Sequence, residues 1–517
     1  MAVSLPLLLL SSFLLVPLVL VVLRQPLWVR RRGLPLPPGP PAHALFGHLR
    51  VVPTLNPEWK FAEWSKKYQS DVLYFDMLVQ KMVILNSAQA AMDLLDKRGA
   101  NFSDRPRFVL FEVMGWRRTM AFMPWGPLFR LHRKILQSNL QKSSIVQYQA
   151  MQERETRTLL MGVSKQPENW EILLRRFATA VVLSIGFGVE LTSDKGDYMQ
   201  MAEDASYALG HGGPPAGTLV DFFPLVRHLP DWLVRNNSLK FARKWNPAVR
   251  RLHDLPYNNL LSSGKRALCL IQTLLDQREA ECKDGTDTGL TVDDIKGVAV
   301  AVFAAGQDTT WASLMVFIFN MVMNPEIQEK ARGLLDEVIG HERLPTFKDK
   351  SRVPYMDYII QETLRWCPVS PLGLPHRSME DDTYNGMFIP RGTLIYANAR
   401  AMTHDKHVYQ NPDKFEPERY IPKEDGGRGE PYPKGQFGFG RRICVGQHLA
   451  EASMWIVAVS LLATYDIKKA LDPDGKEIVP ELKLSNGLTS HPEGFPCRLV
   501  PRADRARFFG DLSRNEM

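Results

Sequence analysis

Cysteine is scarce in this chain. Five are spread through 517 residues, at Cys269, Cys282, Cys367, Cys444 and Cys497, with no CxxC pair among them. An odd, widely spaced set argues against a disulfide framework and for a reducing compartment. Biased stretches are missing as well. There is no internal repeat, no long Gly/Ser or Pro-rich linker between halves and no low-complexity tract, and the polar stretches 281–289 and 422–430 are only loop-sized. One large domain is expected, with 45% hydrophobic residues to build its core. The net charge of +8 is scattered. It fits a membrane-associated protein or one that docks an acidic partner, but no basic stripe interleaved with aromatics points to nucleic acid.

Charge is absent altogether from Leu5 to Leu23, and arginines follow at 24, 30, 31 and 32. Such a run spans about 28 Å as a helix, near the hydrocarbon thickness of a bilayer. The basic residues come after the apolar run and no small-residue cleavage site is evident, so an uncleaved anchor is expected rather than a signal peptide. Arginines on that side keep the rest of the chain cytoplasmic. The expected organisation is an anchor over 1–29, a basic and proline-rich hinge over 30–41 acting as a stiff spacer, and a single catalytic domain over 42–517.

Helical patterns dominate. The segment "DVLYFDMLVQKMVILN" reads as two short strands, "SAQAAMDLLDKRG" as a helix stopped by glycine, and "GMFIPRGTLIYAN" again as strand-like. The longest pattern runs from Thr291 to Met323, opened by a capping box of Thr291 with Asp294 and closed at Asn324-Pro325. Its middle, "AAGQDTT", puts a glycine, an acid and two threonines into an apolar helix. Gly306 costs about 1 kcal/mol there relative to Ala, and Asp308 is expensive to bury unpaired. A polar notch is expected, with something approaching the backbone at Gly306 and protons handled by Asp308 and Thr309.

Glu362 and Arg365 share a helix face in "QETLRW", and Arg419 in "FEPERY" can complete a Glu–Arg–Arg network 25 residues before Cys444. Cys444 itself lies in "FGFGRRICVG", behind a glycine-rich, doubly basic loop and ahead of the helical pattern "VGQHLAEASMWIVAVSLL". A zinc pair with His448 is disfavoured, because no second pair with ligand spacing exists.

In their order and spacing, "AGQDTT", "ETLR", "PERY" and "FGFGRRICVG", together with the anchor and proline hinge, resemble the cytochrome P450 family of haem-thiolate monooxygenases, in its membrane-anchored eukaryotic and most of all its fungal form. The resemblance covers essentially the whole chain. It implies a mainly α fold with small β-sheets and a long central helix over haem b. Cys444 would be the axial iron ligand, its thiolate favoured by the N-terminal end of the following helix. Phe437 would shield the sulfur. Gly438 and Gly306 would let backbone approach the ring, and Arg442, Arg133 and His132 would meet its propionates. Either His376 or Arg377 would join them, a choice left open. Asp308 and Thr309 would shuttle protons, while Glu362, Arg365 and Arg419 would lock the fold. Two departures stand out: Phe129 replaces the family's tryptophan four residues before Arg133, and Val445 replaces a frequent proline.

The family further implies O2, electrons from NADPH-cytochrome P450 reductase with cytochrome b5 as an optional second donor, and a single-pass place in the endoplasmic reticulum membrane. The substrate expected from the apolar segments 107–123, 212–224, 302–306, 370–375 and 486–490 is an apolar small molecule of specialised metabolism, such as a terpenoid or polyketide. A detoxifying monooxygenase and a haem-thiolate isomerase or dehydratase are the alternatives, and the acid–threonine pair speaks against the latter. A cysteine-nucleophile hydrolase would need a histidine and an Asn or Asp in roles that find no place here, and a haem protein for electron transfer or sensing would not need that pair.

Overall fold

The computed structural model describes residues 33–503, apart from 45, 78–79, 192–195, 215, 234–236, 265 and 286–288. The anchor expected over 1–29 lies outside the described residues. Two compact units emerge. The first takes the chain up to Pro106, with Leu372–Met402 and Gly438–Arg442; the second takes Arg107–Pro371, Thr403–Phe437 and the chain from Ile443 onward.

The first unit holds the expected strands. β1 (Val72–Met77) and β2 (Gln80–Leu85) pair antiparallel with Val72 opposite Leu85. β3 (His376–Arg377), β4 (Asp382–Tyr384), β5 (Met387–Ile389) and β6 (Leu394–Ala397) follow. One sheet has the order β1-β2-β6-β3, and β4 and β5 form a separate hairpin. The turn of that hairpin is Asn385-Gly386, both at positive φ, the conformation a two-residue hairpin turn requires. One face of the sheet buries Leu73, Phe75 and Ile84 against Phe61 and Trp64 of the helix Pro57–Tyr68.

Two expectations change here. The segment after Ser87 is helical, but it passes from an α turn (Ala88–Ala91) into a π turn (Met92–Lys97), and Gly99 opens a further turn rather than stopping the helix. The proline-rich segment is not a free spacer over its described part. Proline has no N–H to give but keeps its carbonyl, and the Pro35 and Pro38 oxygens accept from the N–H groups of Phe388 and Tyr74 at 2.7 and 3.0 Å. These bonds tie it along the first unit.

The second unit is built around the helix Val292–Met323, whose Thr291–Asp294 capping box is formed. At 1.5 Å per residue it is about 48 Å long. Apolar residues surround it on nearly every side because it is a core element. Among the described helices it is the one long and apolar enough to cross a membrane, yet 72% of its apolar window is buried inside the protein. The helix Trp170–Phe187 packs against it through small residues. A Cβ on Gly186 would stand 3.1 Å from the Ala299 oxygen, and one on Gly306 would stand 2.8 Å from Val182 Cγ1. The helices Pro354–Trp366 and Gln447–Thr464 and a small sheet, β7 (Tyr465–Leu471), β8 (Glu477–Ile478) and β9 (Cys497–Pro501) in the order β8-β7-β9, complete the parts used below.

Candidate active site

The cysteine loop is a closed turn. Cys444 N–H donates to the Phe437 carbonyl at 2.8 Å, and Gly440–Arg442 forms a single 3-10 turn between them. Gly440 is needed there twice over: its φ is 54°, and a Cβ would fall 2.1 Å from the Leu95 oxygen. Gly438 has φ 75°, but its missing Cβ would meet only the Arg442 oxygen at 3.8 Å. One side of this glycine is therefore open.

Cys444 stands just before the helix Gln447–Thr464, whose N-cap is Gly446. Its side chain keeps accessible surface, yet protein surrounds it closely enough for burial to push the thiol up. The N–H groups of Gly446 and Gln447 and the Arg133 guanidinium pull in the opposite direction. Arg133 Nη1 donates to the Ile443 carbonyl, so it holds the loop next to the cysteine. Phe129, one turn before it, is buried against Trp125 with ring centroids 5.4 Å apart.

His132 pairs with a carboxylate of the central helix. It is fully buried, with Nε2 3.4 Å from Asp294 Oδ1, the carboxylate that also caps the central helix and pairs with Arg118. Burial lowers its pKa against the pull of Asp294.

In the first unit His376 and Arg377 take different partners. Arg377 is exposed and forks its Nε and Nη2 onto Asp104 Oδ2 at 2.9 and 2.5 Å. His376 is buried, with Nδ1 donating to the Phe102 carbonyl at 2.7 Å. Burial and then the Arg105 charge, with a smaller push from Arg442, hold its pKa well below the ordinary value. Arg442 is buried, and its Nε donates to the Ser103 carbonyl at 2.7 Å. Arg105, which sequence reasoning missed, is the second buried cation beside the neutral His376. Its Nη1 donates to the carbonyls of Leu374 and Pro375 at 2.6 and 2.8 Å, and its Nε meets no partner among the described residues. Burial lowers its pKa to about 10. The signal available was an arginine-proline pair between Phe102 and Phe108, both buried.

In the notch of the central helix Gly306 stands against a neighbouring helix. What approaches its backbone is Val182 of the neighbouring helix. The accessible window lies instead on Ala305, exposed in the middle of a buried helix, with Thr309 partly accessible one turn later on the same face. Thr309 Oγ1 donates to the Ala305 carbonyl at 2.6 Å. The Asp308 carboxylate turns to Thr489, whose hydroxyl donates to Oδ2 at 2.6 Å, and lies 3.9 Å from Arg175 Nη1.

Glu362, Arg365 and Arg419 meet, all three with side chains fully buried. Arg365 forks onto Glu362 with Nε and Nη2, both at 2.8 Å, and Arg419 Nε reaches Oε1 at 3.0 Å. Tyr420, Glu430 and Glu416 join them, none of which the sequence pattern named.

A model of the Cytochrome P450 family matches residues 37–495, and the chain belongs to that family; it is a cytochrome P450 monooxygenase. It is 37% identical over 495 residues to cytochrome P450 monooxygenase 136 of Postia placenta, covering 94% of this chain and 93% of that protein. Cytochrome P450 monooxygenase claR of Ampulloclitocybe clavipes is 36% identical over 498 residues, with 94% and 90% covered. The tryptamine 4-monooxygenase of Psilocybe cyanescens is 32% identical over 477 residues, with 90% and 93% covered. Members of the family carry haem b and use O2, a redox partner and an organic substrate.

The residues present fit that cofactor. In the first unit a buried arginine with an unmet donor, beside a second buried arginine and a buried histidine, suits the carboxylates of a propionate-bearing ring. The open side of Gly438 suits a flat group against backbone. In the second unit an accessible thiol in dense surroundings suits an iron ligand.

Proposed function

We propose that this chain holds haem b through Cys444 and oxidises an apolar small molecule at the Ala305–Thr309 face of its central helix. The accessible cysteine at a helix N-terminus is the observation that carries the reading. Bound there, haem supplies an iron centre that activates dioxygen with electrons from a reductase, and cysteine ligation favours O–O cleavage.

Each residue then has a task. Cys444, whose thiol is pushed up by burial, would hold the iron as a thiolate, the form that a bound metal ion's charge favours. Arg133 and the Phe437 carbonyl fix the loop that carries it. Arg105 and Arg442 would neutralise the propionates, and His376, kept neutral by burial, would stand beside them. Arg377, paired with Asp104, and His132, paired with Asp294, act as supports. Thr309 presents a hydroxyl whose proton goes to the Ala305 carbonyl, so its lone pairs accept a proton relayed from Asp308. The buried rings Phe108, Phe111 and Phe122, in mutual contact at 4.6–6.2 Å, support an apolar or aromatic substrate. So does the relative that acts on tryptamine. We place the enzyme in fungal specialised metabolism, anchored once in the endoplasmic reticulum membrane by Leu5–Leu23 and served by NADPH-cytochrome P450 reductase.

The test is the reduced carbon monoxide spectrum of the purified enzyme, followed by product identification from microsomes that co-express a reductase and are fed candidate metabolites. The wild type shows the thiolate-type band and Cys444→Ser loses it. A band retained in Cys444→Ser would overturn the ligand assignment.

A further inference from the structure

The proton-handling acid of the central helix is tied to a distant loop. Residues 484–492 form a tight hairpin, closed at its base by the Leu484–Pro492 bridge and by Ser485 N–H donating to the His491 carbonyl at 2.9 Å. From that base the loop makes three reaches. Ser490 N–H donates to the Val369 carbonyl at 2.8 Å. Thr489 Oγ1 donates to Asp308 Oδ2 at 2.6 Å. The His491 ring sets its edge on Trp311 with centroids 4.5 Å apart. On the other side of Trp311 lies Arg175, its guanidinium 3.6 Å over the ring and 3.9 Å from Asp308 Oδ1. Asp308 and Trp311 are three residues apart on one helix face, so one loop and one arginine bracket that face.

The titratable groups recorded around this cluster are Arg175, which faces Asp308 directly, Glu171 on the same helix as Arg175, and His491 and Glu493 at the end of the hairpin, of which burial keeps His491 neutral. Nothing connects Asp308 to Thr309 in this arrangement, because the Thr309 hydroxyl is given to Ala305. The Asp308 side chain is 25% exposed, which leaves it open to water.

We propose that Thr489, seconded by Arg175, is a positioning residue that latches Asp308 in a resting orientation, so that movement of the 484–492 loop sets when the carboxylate can pass protons to Thr309. The idea rests on the reading of Asp308 as the acid of the oxygenation reaction. Protons balance: the carboxylate takes one from the buffered solvent, turns, and gives it to the threonine hydroxyl, which releases its own proton from the Ala305 carbonyl to the oxygen being reduced. Segment 486–490 is also one of the apolar stretches expected to meet substrate, so substrate contact and release of the acid fall on the same loop.

The experiment uses the haem-loaded full-length enzyme with NADPH and reductase and no added substrate, with hydrogen peroxide and NADPH followed together. Thr489→Val removes the hydroxyl while keeping the shape. Peroxide release should rise about three- to tenfold, the population shift of one hydrogen bond to a carboxylate that solvent partly screens. Thr489→Ser should restore the wild-type rate, and Arg175→Gln should leak less than Thr489→Val because its contact is longer. The double variant Thr489→Val with Asp308→Asn should leak less than Thr489→Val alone, since the leak runs through the carboxylate. Hydrogen exchange of the 484–492 peptide gives a readout independent of turnover and should quicken in Thr489→Val but not in Thr489→Ser. A wild-type peroxide rate in Thr489→Val, a double variant that leaks as much as the single one, or unchanged exchange would each overturn the latch. A wild type without the thiolate-type carbon monoxide band would overturn the functional reading first and the latch with it.

Discussion

Replacing Glu362 should cost the enzyme far more than replacing Glu430, although both carboxylates bind the same arginine. Glu362 accepts five hydrogen bonds: two from Arg365 at 2.8 Å, one from Arg419 Nε at 3.0 Å, one from the Tyr420 hydroxyl at 3.0 Å and one from the Glu416 N–H at 2.8 Å. It is the one carboxylate paired with Arg365 among the described residues. Arg419 has a second, Glu430, at 2.6 Å. Glu362→Gln therefore leaves a fully buried guanidinium with carbonyls only, and breaking such a pair costs about 3–5 kcal/mol. Glu430→Gln leaves Arg419 still paired with Glu362 and Arg428 with Glu416, and loses the charge-assisted bond to Arg419, about 1.5–3 kcal/mol, together with the ion pair to Arg428. Arg365 agrees with this ordering. Burial acts on its pKa most strongly and downward, but the hydrogen bond and charge of Glu362 outweigh it and the pKa ends up raised. The assay is urea unfolding by circular dichroism, with the haem-to-protein absorbance ratio after purification. The reasoning is refuted if Glu430→Gln loses as much stability as Glu362→Gln, or if Glu362→Gln loads haem normally.

Thr309→Ala should bind haem as the wild type does, since alanine suits a helix interior, but less of the NADPH consumed should appear as product and more as peroxide. An unchanged ratio would remove the hydroxyl from the mechanism. His132, His253, His376 and His491 all have pKa values lowered, chiefly by burial, so each stays neutral in the fold and takes up a proton on unfolding below its ordinary value of about 6.5. Stability should accordingly be full above about pH 7 and fall as the pH drops below 6.5, by up to about 1.4 kcal/mol per pH unit for each group. A urea midpoint that stays flat or rises from pH 7.5 to 5.5 would contradict this. Deleting residues 1–29 should release the protein from membranes with its haem spectrum intact, and pelleting of the truncated form would require a second attachment surface.

What the sequence made legible was local. The capping box, the hairpin segments and the Glu362–Arg365 pair depend on spacings of a few residues, and the structure contains each of them. What stayed hidden was tertiary. Arg105 gains its meaning from Leu374 and Pro375, about 270 residues later. Gly306 looked like a site for ligand approach because its spacing does not reveal that Val182 fills the gap. His132 shares a helix with Arg133, yet adjacent helical positions point about 100° apart, and its own face meets Asp294. Asp308 is half of a legible pair, but its hydrogen-bond partner Thr489 is 181 positions away.

The buried arginines explain why an irregular stretch can carry the cysteine loop. Between Thr403 and Phe437 the chain contains only short 3-10 turns, so its carbonyls lack the partners that helices and sheets provide, and a buried carbonyl left unmet is costly. Arg365 supplies donors to the carbonyls of Thr403, Pro412 and Lys414, Arg419 to those of Gln410, Asn411 and Lys414, and Trp366 to that of Asp413. Lysine could not substitute, because an ammonium has three donors where each guanidinium has five in a fixed fork. The charge this brings inside must be met, and Glu362, Glu416 and Glu430 stand against Arg365, Arg419 and Arg428. The network thus does for this segment what a backbone ladder does for a strand: it fixes the path of the chain that leads into Phe437, and through the Phe437 carbonyl it fixes Cys444.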